Sequence, residues 1–166
     1  MRPFSARTAY DAPIADVAAM MSDREFVEHK VAASKPTTSR VDVNVAADGA
    51  FTIDTTRALP TDHLPAAAQR LVGRTIEIAL IERWGPAADD GSRQGTIDLR
   101  VVGKPASASG TATMKPAGAG TVLVYDGTVE AKVPLIGGKL EEQAVQQVQT
   151  VLELERSVGA AWLASH

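Results

Sequence analysis

From Lys139 to about Ala164 the chain contains no proline, and Leu140, Ala144, Val148, Val151, Leu152, Val158 and Trp162 recur at steps of three and four. That spacing draws one apolar stripe along a helix. Roughly 26 residues at about 1.5 Å each make it about 39 Å long, enough to cross a whole sheet. Glu141, Glu142, Gln146, Gln149, Glu153 and Arg156 lie mainly around the other side. A rod of that length with one greasy side needs a broad apolar surface to lie on.

The preceding stretch supplies one. Val41, Val43 and Val45 alternate with Arg40, Asp42 and Asn44 before an Asp48-Gly49 turn, and Phe51, Ile53 and Thr55 alternate with Thr52, Asp54 and Thr56 on the return. Ile76, Ile78, Leu80 and Trp84 continue the pattern, as do Ile97, Leu99 and Val101, then Ala108, Gly110, Ala112 and Met114, then Leu123, Tyr125, Val129, Ala131 and Val133. A period of two puts each apolar set on one face. No helical crossovers separate these strands, which excludes a parallel sheet. The expected architecture is α+β: one curved antiparallel sheet, wet outside, gripping the long C-terminal helix on its inner face.

Phe4, Ala6, Thr8 and Tyr10 alternate as a first strand. Asp11 then stands where it can cap a short helix carrying Ile14, Val17, Ala18 and Met21, with Pro13 at a tolerated position. Ser22-Asp23 opens a second helix with Phe26, Val27, Lys30 and Val31 on its buried side, ending near Ser34. Ala58 to Gly73, with Pro60 and Pro65, reads as a long irregular connection with a helical turn at Ala66 to Leu71, a length often used as a lid. The 166 residues are expected to form a single domain, 1–166.

Composition narrows the function classes. The formal charge is -3, with 17 Lys plus Arg against 20 Asp plus Glu, so no basic excess exists to neutralise a phosphate backbone. Cysteine is absent, which removes disulfides, thiol catalysis and thiolate metal sites. The N-terminus has no signal-peptide core and no run of ~18 apolar residues occurs. These features predict a cytoplasmic protein without stable membrane insertion.

The order of elements, with Tyr10-Asp-Ala-Pro-Ile-Ala-Asp-Val17 followed by Ser22-Asp23 at the entry and Val133-Pro-Leu-Ile-Gly137 with Lys139-Leu-Glu141 before the last helix, resembles the START-like superfamily. This is the helix-grip, SRPBCC or polyketide cyclase/lipid-transport group, and the chain looks like an uncharacterised bacterial subgroup of it, a domain of unknown function. The resemblance covers essentially the whole length and rests on structural motifs. It implies a cavity between sheet and helix that takes a hydrophobic small molecule or lipid, only some branches being enzymes. Fold analogy does not choose among them.

Small side chains point to the same place. Ala108, Gly110 and Ala112 stand inward where a filled core would carry larger groups, and Ala144 and Val148 of the long helix oppose them. Small facing small means either close approach or space. With Phe51, Ile53, Ile78, Leu80, Leu99, Met114 and Leu123 around it, and Val151 and Leu152 above, such space would be apolar. Glu155 falls inside the helix stripe, with Gln147 at its margin. A carboxylate there either anchors the polar end of a ligand or escapes to water or to an arginine such as Arg57 or Arg83. Tyr125 could donate to a ligand or to a helix neighbour, while Trp84 and Trp162 suit a pocket mouth or plain core. His29, His63 and His166 have no metal-ligand spacing, Gly137-Gly138 lacks the rest of a phosphate loop, and no Gly-x-Ser-x-Gly elbow occurs. No cofactor or metal is implied.

Three functions compete. The leading one is non-catalytic binding or carriage of a hydrophobic or amphiphilic small molecule. The second is a cyclase- or aromatase-like enzyme using Tyr125 and Glu155 as acid and base. The third is a protein-interaction or regulatory module, against which stands the polar outer face of the sheet.

Overall fold

The computed structural model describes residues 1–166. Its elements are β1 (Arg2–Tyr10), α1 (Ile14–Met21), α2 (Arg24–Ala33), β2 (Thr38–Val45), β3 (Phe51–Pro60), α3 (Ala66–Val72), β4 (Thr75–Trp84), β5 (Arg93–Val101), β6 (Ala106–Ala117), β7 (Gly120–Ala131) and α4 (Gly137–Ser165). The seven strands make one antiparallel sheet in the order β1-β7-β6-β5-β4-β3-β2. This is the α+β helix-grip plan expected above.

Period two carries the inner face from strand to strand through the register. Ile53 pairs with Glu82, Glu82 with Ile97, Ile97 with Gly110 and Gly110 with Gly127, so all five share the concave side. Burial along that side is graded. Toward the end closed by α1 and α2, Phe51, Ile53, Trp84, Ala112, Met114 and Leu123 are buried with Val17, Phe26 and Val27. Toward the β3–β4 and β5–β6 turns, Ile76, Ile78, Leu80, Leu99, Val101 and Ala108 are only half-buried. The concave face is thus sealed at one end and open at the other.

Helix α4 lies chiefly along β1 and β7 and against α1 and α2, rather than spanning the whole sheet. On one flank Gln149 Nε2 donates to the Arg7 carbonyl at 3.2 Å and Arg156 Nε to the Ala9 carbonyl at 3.1 Å, tying the helix to the β1 edge. The opposite flank, with Gln147, Val151 and Leu154, is exposed and overlooks β3 to β6. Gly159 brings the helix close to β1, for an added Cβ would stand 2.6 Å from Tyr10 Cε1.

Four details depart from the sequence reading. Asp11 does not cap α1; Pro13 precedes it with no side-chain cap, whereas Asp23 does cap α2 by accepting the Glu25 N–H at 2.9 Å. The stretch from Ala58 is mostly regular, because β3 runs on to Pro60 and α3 fills 66–72, leaving a short connection through Thr61, whose Oγ1 donates to the Gly73 carbonyl. Glu141 is buried, not on the wet side of α4, where it accepts from the N-terminal ammonium and the Ala131 N–H. Ala144 and Val151 are exposed, since the buried line of α4 runs through Glu141, Leu152, Gly159 and Trp162 and is rotated from the apolar stripe.

Candidate functional site

The half-buried inward side chains of β4 to β6, beside the exposed flank of α4, mark the candidate groove on the concave face. Its apolar character follows from the strand pattern: Leu80 pairs with Leu99 and Leu99 with Ala108, while Ile78, the neighbouring inward position on β4, pairs with Val101. Gly110 and Gly127 oppose each other on β6 and β7, and a Cβ on Gly110 would collide with the Asp126 carbonyl. Gly110 thus permits a close backbone approach, while the half-buried Ala108 packs at the edge of the core.

At the blind end of the groove four charged side chains converge from four elements. Lys30 of α2 places Nζ 3.8 Å from Glu82 Oε1 of β4 and 3.9 Å from Glu155 Oε2 of α4. Arg57 of β3 donates to Ser34 Oγ at 3.3 Å and contributes field to the same group. Trp84 Nε1 donates to the second oxygen of Glu82 at 3.3 Å. Tyr125 meets Trp84 edge to face at 6.5 Å, Phe51 stacks on Trp84, and the Arg93 guanidinium lies over the Phe51 ring at 5.4 Å. Thr55, inward on β3 beside Ile53 and Arg57, has a buried hydroxyl with no hydrogen-bond partner.

Electrostatics define what these groups offer. Burial opposes the Lys30 charge, but Glu155 and Glu82 outweigh it and the ammonium is held above its ordinary pKa. Glu155 is raised chiefly by burial, Lys30 and Arg57 pulling it back and Glu82 pushing it up. Burial likewise raises Tyr10 and Tyr125, helped by the nearby carboxylates, so both phenols remain donors at neutral pH. Two cations face two carboxylates. Both ion-pair separations from Lys30 exceed hydrogen-bond distance, which leaves the ammonium donors without a close protein acceptor.

The residues singled out from sequence divide by burial: Phe51, Ile53, Trp84, Ala112, Met114, Leu123, Tyr125 and Leu152 belong to the packed core; Ile78, Leu80, Leu99, Ala108, Gly110, Val148 and Glu155 are half-buried; Gln147 and Val151 are exposed. Of the two arginines weighed as partners for Glu155, Arg57 is near it, whereas Arg83 faces outward to Asp98 at 3.1 Å. Trp162 packs against Phe26 and His29 and stacks on His166. Sequence reasoning missed Glu82 and Lys30 as site residues. The signal for Glu82 was its parity, inward between Leu80 and Trp84.

Comparison with known structures places the fold. Across 98% of this chain and 97% of the other, it superposes on TTHA0849 from Thermus thermophilus with a TM-score of 0.62 at 16% identity. The ZhuI aromatase/cyclase from Streptomyces sp. R1128 aligns over 98% of this chain and 93% of its own with a TM-score of 0.59 and 13% identity. A STAR-related lipid transfer protein fragment from Xanthomonas axonopodis aligns over 92% and 82% with a TM-score of 0.53 and 16% identity. The architecture is thus START-like, of the helix-grip class. Within that class, the profile described as Protein of unknown function (DUF2505) matches residues 5–163, and the chain belongs to that family. Uncharacterized protein Rv0481c of Mycobacterium tuberculosis is 25% identical over 121 residues, 72% of this chain and 69% of the relative. No helix is long and apolar enough to cross a membrane.

Proposed function

We propose that the protein binds an amphiphilic small molecule without transforming it, its apolar body along Ile78, Leu80, Leu99 and Ala108 and its polar head at Lys30, Glu82 and Glu155. The observation that carries this reading is the buried Lys30 ammonium at the blind end of an apolar groove, with its two carboxylates at 3.8 and 3.9 Å, too far for direct hydrogen bonds. A head bearing hydroxyl or carbonyl oxygens would accept from Lys30 and donate to a carboxylate. Because the two cations and two carboxylates sum to zero, a neutral head is favoured over a charged one. The lipid-transfer and cyclase names of structural neighbours are consistent with a fold that houses apolar guests.

The cyclase reading is weaker. In that reading Tyr125, kept protonated by burial, is the acid and Glu155 the base, but Lys30 at 3.9 Å opposes the rise that burial gives Glu155 and so weakens it as a base.

Thermal unfolding with dodecanol, dodecanoate and dodecylammonium tests the proposal. Dodecanol is expected to raise the Tm, the two ions less, and Tyr125→Phe or Glu155→Gln to diminish the dodecanol shift. No shift with any of the three, or equal shifts in all variants, would overturn it.

A further inference from the structure

The end of the molecule where the groove opens has a surface character unlike the rest. Three segments are tied together there: Lys104 Nζ donates to the Leu71 carbonyl at 3.0 Å, linking the β5–β6 turn to α3, and the Lys132 N–H donates to the Pro105 carbonyl at 2.8 Å, linking it to the β7–α4 loop. Each segment turns an apolar side chain to solvent. Leu71 is 46% exposed, Val102 36% and Leu135 105%. Leu135 also has a φ of 71°, in the left-handed region where a leucine side chain is strained and asparagine or glycine would sit more easily. Folding gains nothing from a fully exposed leucine in that conformation.

The charge around these tips opposes that of the whole chain. Arg70, Arg74 and Lys139 are exposed on the same segments. Arg100, Lys104 and Lys132 line a cleft of about 330 Å³, where the one carboxylate is Glu130, itself 3.7 Å from Lys132. Asp62, Glu77 and Glu142 are other exposed acids close to this end in the chain, so the six cations outnumber four carboxylates. A chain with a net charge of -3 thus concentrates six cations around three outward apolar side chains.

We propose that this end docks on an anionic lipid bilayer, the leucines and valine entering the headgroup layer and the cations meeting lipid phosphates, with the groove mouth facing the membrane. The occupant follows from complementarity: apolar tips ringed by cations match an apolar interior beneath an anionic surface. This is attachment at the interface, compatible with the lack of a spanning helix. It stands independently of what the groove binds.

Co-sedimentation of the full chain with vesicles is the test. Phosphatidylcholine vesicles containing about 30% phosphatidylglycerol are expected to retain the protein at low salt and release it at high salt, while phosphatidylcholine alone retains little. Lys104→Glu with Lys132→Glu should weaken binding by at least fivefold per cation lost. Leu135→Asn, which suits the left-handed backbone and so preserves the fold, should weaken it severalfold. Failure to bind anionic vesicles at low salt would overturn the proposal, as would equal binding by wild type and both variants. So would a concentration-dependent dimer that Leu135→Asn dissolves in a protein that ignores vesicles, which would assign this end to a second copy of the chain.

Discussion

Lys30 Nζ lies between Glu82 and Glu155, 3.8 Å from one and 3.9 Å from the other, with its side chain only 7% exposed. Three elements distant in sequence are thereby held together by one ammonium. Removing it would leave two carboxylates facing each other with little water to screen them. Lys30→Met should therefore destabilise the protein by about 3 kcal/mol at neutral pH. Protonating a carboxylate relieves the repulsion, so the deficit should shrink in Lys30→Met with Glu155→Gln, and in the single variant at pH 5. Urea unfolding of the three proteins at two pH values checks this.

Gly110 tests whether β6 is small for contact or for space. A Cβ there would strike the Asp126 carbonyl, a backbone atom that cannot move aside alone. Gly110→Ala should cost about 2–3 kcal/mol. Ala108→Val, two residues along in the half-buried part of the groove, should cost less than about 1 kcal/mol. Comparable losses at both positions would mean that the groove floor is already packed.

The two tryptophans report on different places. Trp84 donates to Glu82 at the blind end, whereas Trp162 is enclosed by Phe26, His29 and His166. Dodecanol should change the emission of Trp162→Phe, which keeps Trp84, and leave Trp84→Phe unaltered. Fluorescence titration of both variants separates the cases.

Glu141 gives a pH dependence with a definite sign. The N-terminal ammonium and then the Ala131 N–H hold its pKa below the ordinary carboxylate value. A depressed folded pKa contributes stability that is present above the unfolded value of about 4.3 and is lost as pH falls through the folded one. Glu141→Gln should thus lower the Tm at pH 7, with the gap closing in more acidic buffer. Melting curves across that range provide the check.

What the sequence disclosed depended on whether a signal was local. The strand alternation from Val41 to Val133 and the proline-free tail are local patterns, and they sufficed for the helix-grip plan. The rotation of α4 was not local. Its buried line includes Gly159, which fits beneath Tyr10, and Glu141, which meets the chain's first residue, so counting apolar residues centred the stripe on Val151 instead. The charged group at the groove's end was hidden for the same reason. Lys30 could be placed on the buried side of its helix, but its partners come from β4 and α4, and only the assembled fold brings them within 4 Å. Leu135 gave no signal beyond a leucine beside a proline, because its exposure is a property of the folded turn.

Native mass spectrometry of wild type and Ala108→Trp, each incubated with dodecanol, tests the central claim most directly. An indole at position 108 would project into the open groove from β6. The account predicts a one-to-one complex with wild type that is lost in Ala108→Trp, both proteins melting cooperatively. Equal occupancy in the two, or none in wild type, would contradict it.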